Sequence, residues 1–256
     1  SNIMNNIIKD PNYKCREEFK DKIDMISRAH GRFKDMGLVM PKDQFKMYHA
    51  LRNTFMETVK SHPQYPKFIW KPKVADIGCG LGIGSNILSQ ETDFVWGIDN
   101  NEENIRWANQ MYERQKNNIY WSPQLTFDVV DIYKDPREFM TFDVITAIEI
   151  IEHLAEPEAL ITFIKRLCKK DKHGNYPEPP QSTVVWISTP NRNADKIQKD
   201  IPRNEHHVFE ATAGEMYEFL TKYFKYVVAY DYELNGTVDL DCKNTPIIFK
   251  CETPTV

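Results

Sequence analysis

The chain has 256 residues, 41% of them hydrophobic and 27% charged, the proportions of an ordinary soluble globular protein with room for one α/β domain, a sizeable core and an additional element. A net charge of −4 argues against a protein that coats nucleic acid, since phosphate binding needs a basic field, although it leaves a local basic groove open. No apolar run approaches the length of a membrane span, so no membrane partner is expected.

The start, Ser1-Asn2-Ile3-Met4-Asn5-Asn6, lacks the apolar core of a signal peptide, and Ser1 to Ile3 reads as a cloning remnant before Met4. Five cysteines (Cys15, Cys79, Cys168, Cys242 and Cys251) are an odd number without C-x-x-C spacing. They indicate neither a disulfide framework nor a zinc cluster. A reducing, cytoplasmic home is the expectation.

In chain order, residues 13–36 read as a helix, with Phe19, Ile23, Ile26 and Phe33 near helical spacing. Gly37 ends it. Residues 41–62 read as a second helix, with Phe45, Tyr48, Leu51, Phe55 and Val59 in one stripe, and Pro63 and Pro66 break the pattern. Residues 1–70 are therefore taken as a helical extension, or cap, before a domain spanning 71–256. From there, strands at 72–77, 94–98, 125–130, 142–148 and 183–188 alternate with helices near 84–90, 101–116 and 156–170. The strands are apolar and β-branched, as in a parallel sheet buried on both faces. Asn100 or Asn101 is positioned to cap the second helix, with Glu102 and Glu103 in its first turn. A polar, proline-rich loop over 171–180 is expected to extend into solvent. Thr212 followed by Glu215 is a capping box that opens a helix to Phe224. Residues 225–230 and 246–251 alternate as a final antiparallel hairpin. The fold expected is thus a doubly wound, mostly parallel α/β sheet.

The chemistry is concentrated at Val74-Ala75-Asp76-Ile77-Gly78-Cys79-Gly80-Leu81-Gly82. This is a buried strand running into a glycine turn that opens a helix. Backbone without side chains approaches a ligand closely, and Asp99, at the end of the next strand about 20 residues on, is placed to hold a ribose diol. Gly78, Gly80, Gly82 and Gly84 fall at every second residue, so the third glycine of a dinucleotide fingerprint is replaced by Ile83. Asp76 at the strand's end would repel a pyrophosphate and suits a cation, such as the ammonium and sulfonium of S-adenosylmethionine.

This stretch resembles motif I of the class I S-adenosylmethionine-dependent methyltransferases, and Asp99 matches their ribose-binding acid. Asp131-Ile132 resembles the segment that contacts adenine, Phe142 to Glu149 the fourth strand, and Val184 to Asn191 the fifth. The similarity runs in the family's order over roughly residues 70 to 250. It implies the Rossmann-like methyltransferase fold, S-adenosyl-L-methionine as cofactor, and a cofactor site made by Asp76, Gly78, Cys79, Gly80, Gly82, Asp99, Asn100, Asp131, Ile132 and Glu149.

Beyond the carboxyl ends of the strands, Glu149-Ile150-Ile151-Glu152-His153 and, about 50 residues later, Glu205-His206-His207 are placed to meet across a pocket mouth. Three readings stay open. Glu149, Glu152, His153 and His207 could bind magnesium or manganese. This pattern, with His207-Val208-Phe209-Glu210, resembles the small-RNA 3′-terminal 2′-O-methyltransferases. Alternatively, His153 or His207 is a general base beside Glu149, as in the small-molecule and sugar O-methyltransferases of the ubiquinone-biosynthesis type. In the third reading these residues are structural: Glu149 touches the cofactor, Glu152 caps a helix and His153 is a satisfied buried histidine.

Net charge and the lack of a lysine-rich groove favour a small-molecule, nucleotide or glycan acceptor over RNA; the match around His207 favours RNA. Trp96, Trp107, Trp121 and Trp186 read as core, and Cys79 as a small packing residue. A catalytically silent cofactor-binding subunit has no need of such an acidic and histidine rim, and Ile83 and Asp76 oppose a nicotinamide oxidoreductase.

Overall fold

Five apolar segments in succession, each too short for a helix core and each followed by a helix or helical turn, leave few solutions other than a parallel sheet with right-handed crossovers. A computed structural model, which describes residues 40–61, 71–116, 125–194 and 207–256, has that sheet. Its strands are β1 (Lys73–Ile77), β2 (Phe94–Asp99), β3 (Leu125–Val129), β4 (Val144–Ile148), β5 (Val184–Thr189), β6 (Phe224–Asp231) and β7 (Ile247–Pro254). They lie in the order β3-β2-β1-β4-β5-β7-β6. β1 to β5 run parallel, and β7 pairs antiparallel with both β5 and β6. The C-terminal hairpin expected from the alternation is present.

The helices are α1 (Lys42–Ser61), α2 (Ile83–Ser89), α3 (Glu102–Lys116), α4 (Pro157–Leu167) and α5 (Ala213–Thr221). Their ends follow the local chemistry. Asn101 Oδ1 accepts from the Asn104 amide at 2.9 Å and so caps α3. Pro157 opens α4. Thr212 and Glu215 form the reciprocal capping box of α5. Several edges move inward from their sequence expectation, among them the end of α5, at Thr221 rather than Phe224. Strand β4 begins at Val144 and α4 ends at Leu167, because Phe142 and Cys168 pair with each other in a short parallel bridge.

Phe142, Phe163, Phe224 and Phe249 are among the largest fully buried side chains, and each such burial is worth about 2 kcal/mol. Trp96 and Trp186 are core, as expected. Helix α1 docks by Met47, Tyr48, Leu51 and Phe55, all buried, and packs on α2. The helix expected over 13–36, Trp121, His206 and the boundary at residue 70 lie outside the described residues. No helix among the described residues is long and apolar enough to cross a membrane.

Candidate active site

Sheet order reverses between β1 and β4, which places a ligand crevice above their carboxyl ends. A cleft of about 270 Å³ opens there, lined by the ends of β1 to β3 and by the turn after β4: Gly78, Asp99, Asn100, Ile132, Tyr133 and His153 are among its walls.

The glycine turn is built for this place. Gly78, Gly80 and Gly82 all have positive φ (71°, 55° and 82°), a region that side-chain-bearing residues resist. The amides of Gly78 and Cys79 both donate to the Ile98 carbonyl, at 2.7 and 2.9 Å. At Gly78 a Cβ would lie 2.0 Å from Ile150 Cδ1, so Ile150 closes on the turn where only glycine fits. Asp99 is 4% exposed. Its Oδ2 accepts from the Gly80 amide at 3.0 Å and its Oδ1 from the Asn101 amide at 2.9 Å. Burial pushes its carboxyl up to about 6, against the pull of those two amides.

Of the residues expected to hold a cofactor, Gly78, Asp99, Asn100 and Ile132 line the cleft. Asp76, Cys79, Gly80 and Gly82 are buried behind its wall. Asp76, expected to face the cationic part of the cofactor, does not line the cleft. Its carboxylate has no exposed surface, and accepts from Tyr48 Oη at 3.0 Å, Ser85 Oγ at 2.7 Å and Thr146 Oγ1 at 2.8 Å. Asp131 turns back to accept from the Tyr133 amide at 2.9 Å. The exposed Tyr133 beside it takes a place on the cleft wall that sequence reasoning did not assign. An aromatic directly after Asp131-Ile132 was the available signal. Cys79 is a buried packing residue whose thiol burial pushes well above its ordinary range, so it is no nucleophile at neutral pH.

On the other side of the rim, Glu149 adopts φ 54°, a left-handed conformation that costs about 1–3 kcal/mol at a non-glycine residue. Its amide is held by Ser188 Oγ at 2.9 Å. A 3₁₀ turn, Ile151–His153, follows. The Glu152 carbonyl accepts the Val208 amide at 2.8 Å, which brings His207 to the turn. The His153 and His207 rings meet edge to face, centroids 4.8 Å apart. His207 Nδ1 lies 2.9 Å from the buried Glu210 Oε1.

Ligand atoms of Glu152, His153 and His207 lie within 4.8 Å of one another. Glu149, the fourth member of the expected set, stands outside that cluster: it lies in the turn one residue beyond the end of β4, before the 3₁₀ turn that carries Glu152 and His153. Glu152 is fully buried and does not cap a helix with its side chain; both of its carboxyl oxygens, Glu149 Oε2 and Thr189 Oγ1 are buried without a hydrogen-bond partner. Burial pushes Glu152 up to about 8, and burial followed by the neighbouring Glu152 charge pushes Glu149 well above its ordinary range. Asn191, at the end of the segment that resembles the fifth strand, is spent on structure: its side chain donates to the carbonyls of Cys242 and Asn244.

A model of the methyltransferase domain matches residues 75–173. The ubiquinone biosynthesis O-methyltransferase of Haemophilus ducreyi is 28% identical over 179 residues, 65% of this chain and 68% of that protein. The domain match and these relatives support a class I S-adenosylmethionine-dependent methyltransferase. Two solved structures share the methyltransferase's fold. One is the N-methyltransferase NodS from Bradyrhizobium japonicum in complex with S-adenosyl-L-homocysteine (TM-score 0.53, 15% identity, 92% of this chain and 98% of that one). The other is the small RNA methyltransferase HEN1 (TM-score 0.56, 18% identity, 83% of this chain and 26% of that one). At these identities they speak for the fold alone. The methyltransferase domain supports S-adenosylmethionine as the cofactor.

Proposed function

We propose that this methyltransferase transfers the methyl group to a hydroxyl of a small acceptor, with His207 as general base. The observation that carries this is the buried Glu210 carboxylate 2.9 Å from His207 Nδ1. A carboxylate there favours the tautomer with the proton on Nδ1, so that Nε2 is the basic nitrogen. The bound cofactor supplies a methyl group already activated as a sulfonium. The chain's own work is to align the nucleophile and to remove its proton. Asp99 and Gly78 would hold the adenosyl half, Ile132 and Tyr133 the base, and His153 would hold the acceptor hydroxyl beside His207. The names of the curated relatives, O-methyltransferases over 65% of the chain, support an oxygen nucleophile and a small acceptor.

The test is methyl transfer from labelled S-adenosylmethionine to phenols, sugars and short RNA 3′ ends. Transfer to a small hydroxyl compound that depends on His207 is expected; transfer to amines alone overturns the reading.

A second reading draws on the cluster itself. A buried carboxylate whose oxygens lack partners is costly, and one carboxylate with two imidazoles is a donor set that fits manganese, or less well magnesium. Glu152, His153 and His207 would hold the ion, which would lower the pKa of an acceptor hydroxyl. The fold likeness to HEN1 then makes RNA 3′ ends the acceptor to try. Calorimetry of manganese on the wild type and on H153A/H207A separates the two readings. Metal binding that the double variant loses puts the second first, and no binding leaves the first.

A further inference from the structure

Asp76 is the penultimate residue of β1, two residues before Gly78 of the glycine turn, and two of its three hydroxyl donors are native to the sheet and α2: Thr146 on β4 and Ser85. The third is Tyr48, which comes from α1. Tyr48 is 3% exposed and sits among Met47, Leu51 and Phe55 in the apolar seat of that helix. Its ring lies on Gly84; a Cβ there would meet it at 2.3 Å. An apolar stripe would be enough to seat a helix. A hydroxyl in the middle of it, aimed at a buried carboxylate, gives the seat a second task.

We propose that Tyr48 is a positioning residue for the cofactor: its hydroxyl keeps Asp76 charged behind the glycine turn, so that docking of α1 and binding of the cationic methyl donor favour each other. The proposal rests on Asp76 being the countercharge for the cofactor's ammonium and sulfonium. Among the described residues no cationic side chain pairs with Asp76, so its charge is supported by hydroxyls. The groups that face it are Tyr48 from α1, Ser85 from α2, Thr146 from β4, the Cys79 thiol of the turn and the Asp99 carboxylate of β2. The last two oppose its charge. Burial pushes Asp76 up to about 6 even with all three donors in place. Each donor favours the carboxylate form, so loss of the Tyr48 hydroxyl moves Asp76 further into the neutral range.

The experiment uses the full chain and S-adenosylhomocysteine, which keeps the ammonium, with affinity measured by calorimetry from about pH 5.5 to 8.5. Y48F removes the hydroxyl and leaves the ring on Gly84, so its melting temperature is expected to stay near wild type. At about pH 8.5 its affinity should lie within about twofold of wild type, and at about pH 6.5 it should be weaker by about threefold or more, the displacement of an acid limb by half a pKa unit or above. D76N should bind weakly throughout, with an acid limb left to Asp99, whose own donors Y48F does not touch. G84A forces the ring off its seat and should reproduce the loss at pH 6.5 with a larger thermal cost. Parallel profiles for wild type and Y48F, with D76N still weak, overturn the role of Tyr48 and leave Asp76 as countercharge. A wild-type affinity that does not change over this pH range, or a D76N affinity equal to wild type, overturns both.

Discussion

On the cofactor side of the rim Asp76 receives three hydroxyls and Asp99 two backbone amides. On the side proposed for the acceptor, both carboxyl oxygens of Glu152, one of Glu149 and the hydroxyl of Thr189 are buried without a hydrogen bond of normal geometry, Glu152 Oε1 lying 3.9 Å from His153 Nε2. Both sides bury acids, yet one surrounds them with donors before any ligand arrives and the other leaves them for something to complete. Donors fixed in advance need no reorganisation when a ligand binds, which suits a cofactor that is the same in every turnover. Unpartnered oxygens are a cost in the free protein, and a proton, a cation or an acceptor group that meets them recovers it.

The difference assigns different losses to the two sides. His207→Ala should lower methyl transfer by about 10²–10⁴-fold, the usual worth of a positioned general base, while S-adenosylhomocysteine affinity by calorimetry stays within about twofold. A variant that loses rate and affinity together would show that the two sides are one site and would break the comparison.

Asp99→Ala is the converse and smaller effect. It removes the acceptor of the Gly80 and Asn101 amides as well as the group expected to hold the ribose, so affinity should fall about tenfold to a hundredfold, one to two steps of 1.4 kcal/mol. Most of the fold should survive, because the substitution removes no apolar surface from the core. Unchanged calorimetric affinity would sink the ribose assignment.

How far each side was legible in the sequence follows the same division. The strands, the glycine turn, Asp99 and the Thr212–Glu215 box are written in local patterns: a period, a spacing, a cap. The strand and helix ends lie within a few residues of their sequence expectation, and at Phe142 and Cys168 the shift comes with a pairing across a whole helix. Asp76 is legible as an acid at the strand's end, but its partners are not, because two of the three lie 28 and 70 residues away, at Tyr48 and Thr146, and no spacing rule joins them. Glu152 and His207 were placed in one group by resemblance of a motif. Their meeting rests on the Val208 amide reaching the Glu152 carbonyl, a tertiary contact. Glu149 is grouped with them by the same motif, and its left-handed backbone is invisible in the sequence. Tyr133 carries only a weak local signal, since a lone aromatic after a strand is ordinary.

The smallest effect sharpens the comparison through pH. Glu152 has a folded-state pKa of about 8 against an ordinary value of 4.5, so the native protein binds its proton more tightly than the unfolded chain does. Stability is then greatest below the unfolded value and is lost as pH rises from about 4.5 toward 8. Glu149, Asp76 and Asp99 are shifted in the same direction, so the melting temperature of the ligand-free protein should fall across this range. Glu152→Gln keeps the shape and removes one titrating proton, so its fall should be shallower without vanishing, by a few degrees where about 1 kcal/mol is worth about 2–4 °C in a chain of this size. Equal slopes in the two proteins would mean that Glu152 does not carry the cost of the unpartnered side. Manganese adds a second arm at about pH 8. A rise in melting temperature in the wild type that Glu152→Gln lacks would identify a cation as what completes the acceptor side. Equal curves with and without the metal would leave that task to the acceptor itself.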